Sequence, residues 1–156
     1  MKLNLVIIIF LISFISNAQK NKSLDYINFR YSISITAFSE VEISINKNRS
    51  YQKTTFDLEA NYYENTTKKK KKITISENDY NEIFEAIYKI NTLDLFDQSL
   101  ATDGTSTKLE FGYMFDYIKI ELSNIDKTQI NTNRKNFIEV IQLILKVAEI
   151  KIEDYN

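Results

Sequence analysis

Apolar and polar residues alternate along several short segments of the chain, and this pattern constrains the fold more than any other feature. The clearest example is residues 29–35, and the same period recurs at 41–45, at 56–62 and more briefly at 73–75. Successive side chains of a strand point to opposite faces of a sheet, so the alternation predicts strands with one face on a core and the other in water. The short connections between the first three segments predict an antiparallel meander.

Two other segments have the spacing of amphipathic helices. Ser76 lies three residues before Asp79, as in a capping box, and the apolar residues that follow are three and four positions apart, which predicts a helix from about Glu77 to Ile90. The apolar stripe from Phe137 to Ala148 is wider than one core-facing side requires. We therefore expect the C-terminal helix to be covered on more than one side, by the rest of the domain or by a partner.

A second hairpin is predicted between the two helices. Residues 109–113 and 118–122 alternate again and are joined near Phe115-Asp116, with Ile125 and Ile130 as a possible extension. The order strands, helix, strands, helix predicts an α+β domain in which two helices pack on one face of an antiparallel sheet of about five to six strands. We assign this single domain to residues 28–156 and a polar N-terminal segment to residues 19–27.

The first eighteen residues have the pattern of a secretory signal peptide. Lys2 precedes an apolar run that ends at the small residues Ser16 and Ala18. The run is too short for a comfortable membrane span, so we expect cleavage between Ala18 and Gln19 and no stable membrane insertion afterwards. The alternative is an uncleaved anchor. We expect the product to be exported, to the periplasm or to the cell exterior.

Composition excludes many kinds of site. The chain has no His and no Cys, which excludes Ser-His-Asp triads, Cys-His pairs, imidazole or thiolate zinc sites, His-ligated haem and disulfides. Two glycines cannot build a glycine-rich phosphate loop, and we expect no cofactor. The formal net charge of -1 predicts no bulk attraction to nucleic acid.

Two chemical candidates remain. Ser50 and Lys53 have the spacing of a serine nucleophile with a lysine base, but they fall in a predicted turn and strand. The second candidate is a set of carboxylates that could hold calcium: Asp97, Asp103, Glu110 and Asp116. The last three of them could instead act in an enzyme. Their spacing does not match an EF-hand loop, and we interpret Asp103-Gly104 as a plain turn.

The candidate binding residues are a lysine run and several tyrosines. Adjacent lysines could dock a partner, or they could form a solvated loop that discourages pairing at a sheet edge. Tyrosines in strands could line a recognition surface or pack across strands. The candidates that we select as a possible binding surface are Lys68, Lys69, Lys70, Lys71, Lys72, Tyr63 and Tyr117.

Three short segments together resemble the small exported domains of unknown function that are common in Bacteroidota. They are Asn17-Ala18-Gln19 at the end of the export signal, Lys72-Ile73-Thr74-Ile75-Ser76 leading into a helix through Asp79 and Tyr80, and Asp103-Gly104 before a paired strand. The resemblance implies an exported compartment and an α+β architecture, and it brings no catalytic residues.

The leading hypothesis is an exported, non-catalytic domain that binds a protein partner through its sheet or its terminal helix. A more specific alternative is an immunity protein that inhibits a toxin delivered to the periplasm. The third is a carboxylate-dependent enzyme using Asp103, Glu110 and Asp116. The oligomeric state is left open.

Overall fold

A computed structural model of the chain describes residues 24–34, 36–91, 104–113, 116–125, 128 and 134–155. Within these residues, six strands form one antiparallel sheet, and two helices accompany it, which confirms the predicted α+β architecture. The elements are β1 (Tyr26–Ile33), β2 (Val41–Arg49), β3 (Thr54–Glu64), β4 (Thr67–Ile75), α1 (Glu77–Tyr88), β5 (Thr105–Tyr113), β6 (Asp116–Ser123), α2 (Lys135–Ala148) and a 3₁₀ turn (Glu153–Tyr155).

The strands lie in the order β4-β3-β2-β1-β5-β6, so the meander and the second hairpin meet at β1. Alternation decides which face of each strand is buried: Ile27, Phe29 and Tyr31 of β1 enter the core, and the residues between them do not. The same holds in β2, β3 and β5. All core residues of the sheet therefore lie on one face, which we call the helix side; we call the opposite face the open face.

Helix α1 begins where its capping signal predicts. The Ser76 side chain accepts a hydrogen bond from the Asp79 amide at 3.1 Å and donates one to the Asp79 carboxylate at 2.6 Å. Tyr80 and Ile83 are buried against the sheet, and Phe56 stacks on Tyr80 with ring centroids 4.3 Å apart. The helix ends at Tyr88, two residues before the predicted end.

Helix α2 is covered by other parts of this chain, which accounts for its wide apolar stripe. It packs against α1, and Asn136 donates a hydrogen bond to the Lys89 carbonyl at 2.7 Å. The segment that follows α2 folds back, so that Ile152 and Tyr155 are buried and Gln142 donates to the Tyr155 carbonyl at 3.0 Å. No apolar residue of this helix is among the exposed ones in the described chain, so a partner is not needed to cover it.

The lysine run lies in a strand, and the expectation of a loop there was wrong. Strand β4 starts at Thr67 because Asn65 and Thr66, with φ of 49° and 67°, make a two-residue turn of the kind that closes tight hairpins. Strand β2 continues to Arg49, so the connection between β2 and β3 spans residues 50–53.

The folded domain begins before the predicted boundary at residue 28. Strand β1 starts at Tyr26, and Leu24 and Ile27 are buried, so residues 24–27 belong to the fold and not to the polar segment. Ile125 is buried but lies beyond the end of β6. The signal segment, Phe115 and Ile130 lie outside the described residues.

Candidate binding surface

The open face of the sheet is a mixed array of charged and polar side chains. Its register places them in rows across all six strands, and one row reads Lys72, Glu59, Ser44, Asn28, Glu110 and Lys119. The charged strand residues on this face are Arg30, Glu42, Asp57, Glu59, Lys68, Lys70, Lys72, Lys108, Glu110, Lys119 and Glu121. Because acidic and basic groups are interspersed, the face has no large region of one sign.

Strand β4 divides the five lysines between the two sides of the sheet. Lys68, Lys70 and Lys72 lie on the open face, and Lys69 and Lys71 lie on the helix side with Ile73 and Ile75. The run is therefore not one continuous cationic surface. Each half of it meets different neighbours, and those neighbours decide how much of the charge is available to a partner.

Glu59 is the acidic partner of the open-face lysines. Lys72 Nζ lies 2.6 Å from Glu59 Oε1, and Lys70 Nζ lies 3.7 Å from Glu59 Oε2. The hydrogen bond and the charge of Lys72, with the charge of Lys70, lower the pKa of the Glu59 carboxyl. The same hydrogen bond raises the pKa of the Lys72 ammonium group. Because these groups are at the surface, their contacts add little to the stability of the fold. The contacts nevertheless leave Lys70 and Lys72 already paired with a carboxylate.

The helix-side lysines are paired as well. Lys71 Nζ donates to the Ala148 carbonyl at 3.0 Å and forms an ion pair with Glu149. Lys69 Nζ lies 3.8 Å from the Glu64 carboxylate. Within the described part of the chain, Lys68 is the one member of the run whose side chain forms neither an ion pair nor a hydrogen bond.

Lys68 is the cross-strand neighbour of Tyr63, and Tyr63 contacts Phe38. The Phe38 and Tyr63 ring centroids are 5.3 Å apart, and the rings are tilted by 59°. Phe38 lies in the connection between β1 and β2 and is 55% exposed. We call Phe38, Tyr63 and Lys68 the aromatic corner; it joins two of the predicted binding residues with one that sequence reasoning missed.

The backbone at Phe38 is strained. Its φ of 69° is in the left-handed region, which costs a bulky residue of the order of 1 kcal/mol or more. The sequence does contain one signal: a phenylalanine in the short segment between two predicted strands, where polar residues or glycine are usual. The positive φ itself has no sequence signal.

Tyr117 is on the open face, as Tyr63 is, but far from it. Tyr63 lies in β3, the second strand from one edge, and Tyr117 lies in β6 at the other edge. The two strands are four strand spacings apart, or roughly 19 Å. Tyr117 is 63% exposed and lies opposite Gly112, whose other neighbour across the sheet is Tyr26. Desolvation, followed by the charge of nearby Glu110, raises the pKa of the Tyr26 phenol. Tyr117 therefore belongs to a second aromatic group and not to the aromatic corner.

The described residues of the two chemical candidates are not arranged for catalysis or metal binding. Ser50 Oγ donates to the Lys53 carbonyl at 2.9 Å and accepts from the Lys53 amide at 3.1 Å, as expected for a turn. Glu110 points to the open face and Asp116 to the helix side, so these carboxylates do not converge. Asp97 and Asp103 lie outside the described residues.

Two further findings concern the described residues as a whole. No group of three or more acidic side chains there is arranged to hold a metal ion. None of the described helices has the length and apolar character that crossing a membrane would require.

Comparisons with known proteins add no assignment. No protein-family model matches the chain, and no curated protein matches it at the significance required.

Proposed function

We propose that this chain is an exported, non-catalytic domain that binds a protein partner in the periplasm or at the cell surface, with the aromatic corner as its main contact. The observation that carries the proposal is Phe38, an exposed aromatic side chain in a strained backbone conformation. Neither its exposure nor its φ favours the folded state of the isolated domain. Strained residues are concentrated at sites of ligand contact, which supports a binding role here.

The chemistry of the corner fits a protein partner. Phe38 and Tyr63 offer a paired aromatic surface, and aromatic side chains are enriched among the residues that contribute most to protein interfaces. Lys68 adds a cation with no acidic partner in the described chain, so a carboxylate of the partner can pair with it. The expected epitope is therefore an apolar side chain beside an acidic one.

A nucleic acid is disfavoured by the same face. Phosphate binding requires several available cations, whereas Lys70 and Lys72 already contact Glu59, and Arg30 contacts Glu40 and Glu42. Lys108 and Lys119 contact Glu121 in the same way. Among the described residues, Lys68 is the one cation of this face without an ion pair. It is enough for a local contact with a protein carboxylate but too little to hold a polyanion.

Export is the part of the proposal that rests on the N-terminal eighteen residues. We expect the mature chain to begin at Gln19. Intact-mass measurement of protein recovered from the envelope fraction tests this directly. Retention of residues 1–18 would contradict cleavage and support an anchor.

The binding proposal is tested with Phe38→Gly and a matched control, Tyr51→Gly. Both changes remove an exposed aromatic side chain from a connection at one end of β2, but Tyr51 lies at the end away from the corner. Immobilised mature protein is exposed to envelope extract, and the captured partner is then titrated against each variant. We expect Phe38→Gly to weaken binding by about tenfold or more and Tyr51→Gly to leave it unchanged.

Stability serves as the internal check. Glycine adopts a φ of 69° without strain. The free energy of unfolding of Phe38→Gly is therefore expected to lie within about 1 kcal/mol of that of the parent. Equal capture by the parent and by a folded Phe38→Gly variant would contradict the aromatic corner as the contact. If the captured protein is a toxin, loss of protection by Phe38→Gly in toxin-treated cells would identify the immunity form of the function.

A further inference from the structure

The two edges of the sheet differ in how they are protected against pairing. Strand β4 carries five consecutive lysines, and lysine on an edge strand discourages the addition of another strand. Strand β6 carries one lysine, Lys119, and two exposed large side chains, Tyr117 and Ile118. Within the described residues, no strand pairs with the outer side of β6. The backbone of β6 is therefore the edge available for strand addition.

Ile118 is the clearest sign of an uncovered contact. It is 48% exposed on the helix side, whereas Ile120 is buried on the same side of the same strand. A new strand beside β6 would cover Ile118 and extend the row of apolar side chains formed by Ile118, Ile120 and Leu122. An exposed apolar residue on an unpaired edge strand is a template for such pairing.

The charges of β6 are complementary to those of an antiparallel second copy of the same strand. We propose that β6 pairs antiparallel with β6 of a second copy of this chain, about a two-fold axis at Ile120, so that two six-stranded sheets become one of twelve strands. In this register, Lys119 lies opposite Glu121 of the second copy, and the symmetry repeats that contact. On the helix side, Ile118 lies opposite Leu122 of the second copy, and the two Ile120 side chains meet at the axis.

Neighbouring registers are disfavoured by the same two charges. If the axis moves to residue 119, the two Lys119 side chains lie opposite each other; if it moves to residue 121, the two Glu121 side chains do. Like charges directly opposite each other in a sheet are destabilising, and opposite charges contribute a favourable term. The sequence Lys119-Ile120-Glu121 thus selects one register of self-pairing.

Glu121 has the protonation state that this contact needs. Desolvation opposes its ionisation, but hydrogen bonds from Lys108 and Lys119 outweigh that effect and lower the pKa of the Glu121 carboxyl. The carboxylate lies 3.3 Å from Lys108 Nζ and 3.4 Å from Lys119 Nζ. When a second copy supplies its own lysine, Lys108 can stay in place while Lys119 turns toward the neighbouring strand.

The lysine edge ends the assembly at two copies. Antiparallel self-pairing of β4 brings lysine opposite lysine whether the axis lies at residue 69, 70 or 71. One edge therefore pairs and the other does not, which gives a closed dimer and not a filament. The aromatic corner lies at the β4 side of the sheet, so the dimer leaves both corners uncovered.

The test is a charge exchange at the proposed interface. Sedimentation velocity of the mature protein over a concentration series gives the dimer dissociation constant for the parent, Lys119→Glu, Glu121→Lys and the double variant. Each single change places like charges opposite each other twice, so we expect the constant to rise about tenfold or more. The double variant restores two opposite-charge contacts and is expected to return to within about threefold of the parent.

Lys108→Gln is the matched control, because it removes a partner of Glu121 within the chain and leaves the charges of β6 unchanged. It is expected to dimerise as the parent does, and circular dichroism confirms that every variant is folded. A parent that is monomeric throughout the series overturns the proposal. So does a dimer whose dissociation constant in both single variants equals that of the parent, or a loss of dimer that the double exchange fails to restore. Phe38→Gly is expected to leave the dimer intact, which separates this result from the partner-binding test.

Discussion

Lys71 differs from the other lysines of β4 in what its ammonium group contacts. Its side chain is only 25% exposed and reaches the last turn of α2, where it donates to the Ala148 carbonyl and pairs with Glu149. The final carbonyls of a helix have no partner within the helix, and a cation there also interacts favourably with the helix dipole. Lys71 therefore joins the edge strand to the end of α2.

The prediction at this scale compares Lys71→Gln with Lys69→Gln. Lys71→Gln removes the contacts at the end of α2 and is expected to lower the free energy of unfolding by about 1 kcal/mol. Lys69→Gln removes a long, exposed ion pair with Glu64 and is expected to change the free energy of unfolding by less than about 0.5 kcal/mol. Urea denaturation measures both. Equal losses in the two variants would contradict a specific role for Lys71.

Residue patterns predicted part of the candidate site. The lysine run and the strand tyrosines mark Lys68 and Tyr63 as binding candidates, and the register places the two residues side by side. Phe38 could not be selected in the same way, because its contact with Tyr63 depends on the course of a hairpin connection that its own composition does not specify. The pairing of Lys70 and Lys72 with Glu59 was also hidden, since it depends on the β3–β4 register.

At the scale of elements, the boundaries that the sequence predicts correctly are those determined by a few neighbouring residues. The start of α1 follows from Ser76 and Asp79, which lie within one turn and determine the cap by themselves. The start of β4 depends on Asn65 and Thr66, which adopt the left-handed region without the glycine that usually marks such a turn. The five lysines that follow do not alternate with apolar residues, so the sequence pattern did not predict the full nine-residue strand.

The N-cap of α1 gives the prediction at this scale. Ser76→Ala removes the acceptor for the Asp79 amide and is expected to lower the free energy of unfolding by about 1 kcal/mol. Asn78→Ala is the control, because Asn78 is exposed in the same turn and alanine has the higher helix propensity. We expect Asn78→Ala to be neutral or slightly stabilising in thermal denaturation. A Ser76→Ala variant as stable as the parent would contradict the capping role.

At the scale of the whole molecule, the segment after α2 closes the core against β1 and β5. Tyr31 donates a hydrogen bond to the Asp154 carboxylate at 2.6 Å, and the hydroxyl groups of Thr107 and Tyr155 are also 2.6 Å apart. The rings of Tyr31 and Tyr155 meet edge to face at 6.0 Å. On the far side of the core, the Tyr80 hydroxyl donates to the Leu24 carbonyl. The core therefore contains phenols that must stay neutral.

These phenols predict that the fold is destabilised by alkali. Burial raises the pKa of Tyr31, with a further increase from the hydrogen bond to Asp154, and burial raises the pKa of Tyr80. In the unfolded chain both ionise near pH 10, whereas the folded chain keeps their protons. The unfolded state then binds fewer protons, so their stabilising effect is complete below about pH 10 and is lost as the pH rises further.

The measurement is urea denaturation from about pH 8 to about pH 11, for the parent, Tyr31→Phe and Tyr80→Phe. Each variant is expected to lose stability less steeply with pH above about pH 10 than the parent does. Tyr51→Phe is the control, because Tyr51 is fully exposed and its replacement is expected to leave the slope unchanged. Identical slopes in the parent and in both core variants would contradict the assignment.

The position of β1 at the centre of the sheet has a consequence for the order in which the chain can fold. Its partner β2 is adjacent in sequence, but its other partner, β5, is synthesised only after β2, β3, β4 and α1. Side chains of β1 and β5 also depend on Asp154 and Tyr155 for their contacts. Contacts between such distant segments form slowly, so the nascent chain is expected to remain open until almost all of it has left the ribosome. A chain that stays unfolded this long remains competent for threading through a narrow translocation channel, which suits the proposed export.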